Sequence, residues 1–327
     1  MNVSTRQKTT DWSLVILVNF MWATQVPVIR LIGDKIGAVT VAFLPMIIST
    51  LIFLPILWME NKKRNVKMKW RWKDIKDFIL PGLIGIFVMQ YVYTVGSRLT
   101  LAANAGIITL TIPVLVAILA SIMLKEKINI VRILSFVLAI GGVLLTSLSD
   151  ISGSSFSQSD YLTGNFVFLF ACICCAFYNT YCKMLVDKNY TELEILVYSS
   201  IIGSIASIPM LIWAEPFSLT ALLNSGTTAL LSMLQLSVIV YGVSSLLFFY
   251  VLRRMDVTQA ILGNYLLPFF IAILGIIVLG EKITMLMVAG GLIILVSTLM
   301  VTVYENKLLR FFTSNKKKII EQKDYNY

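Results

Sequence analysis

At 327 residues the chain is 58% hydrophobic, its mean hydropathy is +0.85, and only 13% of its residues are charged, roughly half the share in ordinary globular chains. A water-soluble fold cannot hide that much apolar surface, so lipid is the solvent for most of it. The net charge of +10 does not mark a nucleic-acid binder, because the cations sit in short stretches between apolar runs, which is how membrane proteins set orientation.

The N-terminal tail, 1–11, carries Arg6 and Lys8 and leads into an apolar run at 12–32. That run is too long for the apolar stretch of a secretory signal and no small-residue cleavage site follows it, so it reads as a first span. A span needs about 20 apolar residues to cross about 30 Å of hydrocarbon. Runs of that kind recur at 38–58, 78–97, 102–123 and 129–148. After a cation-free linker at 149–161 they resume at 162–183, 192–213, 227–252, 257–279 and 285–304. A basic tail, 305–327, closes the chain; it reads as a solvated end or as a contact with anionic headgroups. No stretch alternates polar and apolar residues as an outer-membrane barrel strand does. The expected fold is therefore all-α and membrane-integral, with ten transmembrane helices.

Topology follows from the connections. With the N-terminus in the cytoplasm, 23 of the 27 Lys and Arg fall inside and three (Lys35, Arg98, Lys282) fall outside, with Arg30 at the outer end of span one. Both termini are thus expected in the cytoplasm of a multi-pass plasma-membrane protein, with 149–161 extracellular.

Sliding the chain against itself by 155 residues aligns LKEKI (124–128) with LGEKI (279–283), Arg98 with Arg253, Pro113 with Pro268, and the AIL of 117–119 with that of 272–274. Ser135 and Gly142 fall on Gly290 and Ser297, and Arg30 matches Lys183 at a shift of 153. The chain thus divides into five-helix repeats at 12–148 and 162–304. Five is odd, so the second copy enters the membrane the other way up. Inverted repeats are the architecture of many alternating-access carriers, because two equivalent halves can open one central site to either side.

These motifs carry a family resemblance. WATQVPVIR (22–30), IPVLVAILASIMLKEKI (112–128) and its echo LPFFIAILGIIVLGEKI (267–283) resemble the EamA-type family of the drug/metabolite transporter (DMT) superfamily, over nearly the whole chain and in two copies. The resemblance implies two inverted five-helix units and export or exchange of amino acids, metabolites or drugs. The chain departs from the pattern at Ala23 and Lys125, where glycine is usual, and at Pro45, where members often place Arg.

All 17 acidic residues lie in loops or at span ends, and the chain has no His. A metal hydrolase or a serine nucleophile would need such groups inside the spans, so an enzyme is not expected. No cofactor and no metal is expected either: Cys172, Cys174, Cys175 and Cys182 read as small packing residues. Proton-driven carriers usually keep an ionisable group within the membrane. Its absence points to a uniporter, an exchanger, or coupling through a span-end group such as Glu126 or Glu281.

Polar and aromatic residues inside the spans are candidates for a cavity lining: Asn19, Trp22, Gln25, Gln90, Tyr93, Asn104, Thr111, Tyr178, Asn179, Tyr181, Gln235, Tyr241, Ser245, Asn264 and Tyr265. Each could equally hydrogen-bond helix to helix. Pro113 and Pro268 should bend their spans, shaping a cavity or forming static kinks. Glu126–Lys127 and Glu281–Lys282 could gate the two faces or complement helix ends. Arg30 and Lys183 could meet a substrate carboxylate or snorkel to headgroups. Trp12, Trp58, Tyr161 and Tyr304 read as interfacial-belt residues. The functional expectation is a secondary carrier of a small-molecule solute in the lipid bilayer, monomeric or homodimeric, with no nucleic-acid partner. A lipid-handling protein or scramblase is the alternative, and a membrane sensor a further one.

Overall fold

In lipid every backbone N–H and C=O must be satisfied within the protein, which leaves a hydrophobic chain of this length the choice of helices or a closed barrel. The computed structural model takes the first option. It describes residues 3–64, 72–123, 129–148, 158–215, 217–252, 263–302, 304 and 307. Among these, eight helices are long and apolar enough to cross a membrane, and two shorter apolar helices stand where spans nine and ten are expected.

The first half comprises α1 (Val3–Ala23) and α2 (Gln25–Ile32), α3 (Ala38–Lys63), α4 (Trp72–Leu80) running through a π-helical stretch into α5 (Met89–Leu99), α6 (Ala102–Thr109), α7 (Ile112–Met123) and α8 (Ile130–Ser147). The second comprises α9 (Gln158–Asp187), α10 (Glu192–Pro209), the short α11 (Leu219–Asn224), α12 (Thr227–Gln235) running through a second π-helical stretch into α13 (Ser244–Leu252), then α14 (Leu267–Leu279) and α15 (Met285–Thr302). Leu51, Val137, Ile277 and Leu292 are exposed, as lipid-facing side chains should be.

The two π-helical stretches are Pro81–Val88 and Leu236–Val243. They are related by the same 155-residue shift that aligns the motifs, at both ends. A second sign of the repeat is the contact between α8 and α15. Ser297 donates to the Ser135 carbonyl at 2.5 Å, and a Cβ built on Gly290 would lie 2.6 Å from the carbonyl oxygen of Gly142. Numbers rise along one helix as they fall along the other, so the two are antiparallel. The 155-residue shift turns each of these contacts into the other, Ser135 falling on Gly290 and Ser297 on Gly142, which is the signature of a two-fold axis across the contact. The copies are therefore inverted with respect to each other.

The bend expected at Pro113 takes the form of a two-residue turn within one span. Span four is two helices, α6 and α7, interrupted at Leu110–Thr111, and Pro113 sits in the first turn of α7, where its missing N–H costs nothing. The freed carbonyl of Leu110 accepts the Thr298 hydroxyl of α15 at 2.6 Å. Pro268 likewise occupies the first turn of α14, after a 3-10 turn at Gly263–Leu266. Tyr161 departs from the interfacial belt: it is fully buried and its hydroxyl meets the Asn104 amide. Two facing polar groups here outweigh the ring's preference for headgroups.

Candidate functional site: a polar hollow between the repeats

Span one is interrupted at Thr24, just before Pro27, whose ring leaves the Ala23 carbonyl without its helical donor. Polar side chains from three spans gather near this point. The Gln25 amide donates to the Tyr241 hydroxyl at 2.7 Å, and Gln90 lies beside that phenol. The Gln235 amide donates to the Thr24 hydroxyl at 2.5 Å. Trp22 packs with its ring tilted at 5.0 Å against Phe248, and Tyr93 likewise at 4.9 Å against Phe168, walling the same region.

Beside this hub lies a hollow of about 400 Å³ of empty space, part of it open, lined by residues of α3, the α4–α5 span, α10 and the α12–α13 span. These four spans are two repeat-related pairs. Within them Ile86 and Tyr241 are counterparts at the 155-residue shift, as are Gln90 and Ser245, and all four line the hollow. Ser49, Thr50 and Ser200 add hydroxyls; Met46, Phe53, Ile86, Leu196 and Val197 supply apolar wall. None of the lining residues is charged. The lining draws on the start of α10 and the far half of the α12–α13 span, so the hollow is displaced away from the face at which α3 and α6 begin.

That face is closed by two carboxylates. Gly280, in the left-handed region at φ 67°, ends α14, and the Glu281 N–H reaches back to the Gly275 carbonyl at 3.1 Å. The turn aims the buried Glu281 carboxylate at the N-terminus of α6, where it accepts from the N–H groups of Ala102 and Ala103 at 2.8 and 3.0 Å and pairs with Arg30. Glu215, beyond the end of α10, does the same for α3. It accepts from the N–H groups of Val39 and Thr40 at 2.9 and 3.0 Å and from the Thr40 hydroxyl at 2.7 Å. Nearby, Arg98 donates to the Ile36 carbonyl at 2.6 Å. At the opposite face the Lys188 ammonium meets Asp77 at 2.9 Å, and the Tyr190 hydroxyl lies 3.3 Å from Asp74. Burial, reinforced by the two carboxylates, pushes the Tyr190 phenol up to about 12, so it remains a donor at neutral pH.

The remaining candidates fall elsewhere. Asn19 donates to its own helix at the Val15 carbonyl. Asn104 is enclosed with Tyr161 and Asn165 among α6, α8 and α9, and Thr111 donates to the Ile108 carbonyl. Tyr178 packs over Gly85, and the Tyr181 ring lies tilted against Phe177 at 5.7 Å. Asn179 is exposed, with its amide on the Cys175 sulfur. Tyr265 packs at the edge of the main apolar cluster. Lys183 and Lys282 are exposed. Glu126 and Lys127, and the side chain of Asn264, lie outside the described residues. Sequence reasoning missed Glu215, Ser49, Thr50 and Ser200. Gly37, which opens α3 with no side chain to cap it, was the available signal for Glu215.

The model of the EamA-like transporter family matches residues 12–148 and 162–303. An uncharacterized transporter of Archaeoglobus fulgidus is 23% identical over 87% of this chain and 96% of its own length. A probable terminal-alkyne amino-acid exporter of Streptantibioticus cattleyicolor is 22% identical over 86% of this chain and 89% of its own. A WAT1-related chloroplast protein of Arabidopsis thaliana is 23% identical over 89% of this chain and 69% of its own. A protein of known crystal structure superposes with a TM-score of 0.59 over 92% of this chain and 99% of that one, at 15% identity, a likeness of fold. With the family matched once in each half, on the two units that the α8–α15 contact relates, the chain belongs to the EamA-like transporter family.

Proposed function

We propose that this transporter is a secondary carrier that moves a small net-neutral solute, as exporter or exchanger, by alternating access through the hollow between the repeats. One observation carries the reading: an uncharged hub of Gln25, Gln90 and Tyr241 at the interruption of span one, opening on a hollow lined by repeat-related residues. Interrupted helices at the repeat interface are where alternating-access carriers hold their substrates. A lining of amides, hydroxyls and apolar side chains can satisfy a solute's polar groups, but it offers no ion to repay the desolvation of a net charge. The solute is therefore uncharged or zwitterionic, a class that accommodates the amino-acid cargo named for the Streptantibioticus relative. The cation count supports a plasma-membrane orientation with both termini cytoplasmic and Glu281 outside. In that orientation the observed state is closed to the exterior.

Counterflow in proteoliposomes, with labelled neutral, zwitterionic, anionic and cationic solutes, tests this. Exchange of a net-neutral solute should weaken about tenfold in affinity on Tyr241→Phe, the loss of one or two buried hydrogen bonds. Preferential exchange of a dianion, or a Tyr241→Phe carrier with unaltered affinity, would remove the hub from the solute path.

A further inference from the structure

Two helices of the first half, α3 and α6, begin with residues that cannot cap them. Their N-cap residues are Gly37 and Leu101, and neither makes a side-chain cap bond. Their first N–H groups are satisfied instead by Glu215 and Glu281 of the second half. The repeat counterpart of α3 is α10, and it is built differently. Thr191 caps it, and Glu194 completes a capping box within the same helix. The counterpart of Glu215 at the 155-residue shift is Glu60, which pairs at 2.5 Å with Arg64 of its own helix.

We infer that Glu215 and Glu281 are the latch that closes one face of the carrier, a role that rests on the carrier reading above. A helix with a local cap keeps it in every conformation. A helix that borrows its cap from the other half keeps it only while the halves are apposed on that face. Orphan helix N–H groups are stable only when bonded or wet, so opening this face must wait for water to replace the carboxylates. Gly37 is part of the device: a Cβ there would fall 1.9 Å from the Glu215 carboxyl carbon, so any side chain at position 37 evicts the latch. Its φ of −61° makes no demand for glycine, so the close approach is the reason for it. Glu215 is also the cleaner probe of the two. Removing Glu281 would break an ion pair in which both side chains are mostly buried, which damages folding for reasons unrelated to gating.

The test uses the full chain in nanodiscs, with its four cysteines replaced by alanine and spin-label pairs at positions 35 and 219 on the latch face and at 63 and 187 on the other. The wild-type latch face should give one short distance. Glu215→Gln, which replaces one acceptor oxygen by a donor, should raise the long-distance fraction on that face about tenfold, for the loss of a charge-assisted bond or two. The pair at 63 and 187 should shorten in step. Because Glu215→Gln could fold poorly, a double variant, Glu215→Ala with Gly37→Ser, separates the two effects: serine caps α3 locally while the link between halves is cut. It should open the face as widely. Thr191→Ala, which removes a local cap, should leave the latch-face distance unchanged. A double variant with the wild-type distance, or a Thr191→Ala variant that opens the latch face equally, would overturn the latch. If no latch variant alters any distance while the wild type still exchanges solute, the latch fails and the carrier reading stands. Distances that shift as expected in a chain that exchanges no solute support the latch and defeat the carrier.

Discussion

The same two-fold relation produces two opposite kinds of interface. Where α8 meets α15, glycines let backbones touch, and the Ser297 hydroxyl satisfies the Ser135 carbonyl across the gap. This seam is close-packed. Where the α4–α5 span faces the α12–α13 span, each carrying a π-helical stretch, lies a hollow lined by hydroxyls, the Gln90 amide and apolar side chains. Lipid tails are as apolar as leucine, so helices in a membrane gain little from apolar burial alone and associate where shape and hydrogen bonds allow. The seam uses both; the hollow lacks the close fit and leaves polar groups at its wall. The proposed carrier needs one region that stays together and one that comes apart, and the two interfaces differ in that sense at related positions.

The largest effect should come from spoiling the seam. Gly290→Leu would drive side-chain atoms into the Gly142 carbonyl and Thr146, with Cβ already at 2.6 and 2.5 Å from them. Backbone on both sides cannot yield as a flexible side chain would, so the cost should be about 3 kcal/mol or more, read as a collapse of the melting temperature and of monodispersity in detergent. A variant that melts like wild type would mean the seam is not tightly closed. Asn104→Ala should have a middling effect, about 1–2 kcal/mol. It removes the amide that joins α6 to Tyr161 and Asn165, and Asn165 in turn holds Ser147 at 3.0 Å. Solute affinity in counterflow should stay within about twofold of wild type while the melting temperature falls. Altered affinity at constant melting temperature would move Asn104 from the packed region into the hollow.

Much of the seam was legible in the sequence. Ser135, Gly142, Gly290 and Ser297 stood out because a 155-residue shift superimposed small residues on small residues, and small residues in a membrane mark close helix approach. The helix breaks announced themselves through Pro113 and Pro268, although sequence alone could not distinguish a bend from an interruption repaired by Thr298. The hollow was legible only in part. Gln25, Gln90, Tyr241 and Ser245 were candidates, but so were Asn104 and Thr111, because an amide or hydroxyl looks the same whether it bonds a guest or a neighbouring helix. What separates them is the rotation of each helix about its axis, and the π-helical stretches alter that rotation without any sequence periodicity to reveal it. Glu215 escaped for a further reason. Its partners are backbone N–H groups of a helix some 175 residues away in sequence, and backbone carries no residue signature.

The smallest effect should lie at the loosely held end of the hollow. Lys188, with its side chain half exposed, meets Asp77 at 2.9 Å and ties the α9–α10 connection to the start of the third span. An exposed pair pays side-chain entropy and is screened by salt, so Lys188→Ala should cost less than about 1 kcal/mol, and the difference should shrink as ionic strength rises. The carboxylates on the latch face are buried or bonded to amides that have no other partner, so they lack that salt dependence. Thermal melts of wild type and Lys188→Ala across a salt series, with Glu215→Gln in parallel, therefore compare the two ends of the molecule directly. The lysine effect should fade at high salt and the glutamate effect persist. Equal salt sensitivity at the two positions would mean that Glu215 is as well hydrated as Lys188, and the contrast between a sealed face and a yielding one would be lost.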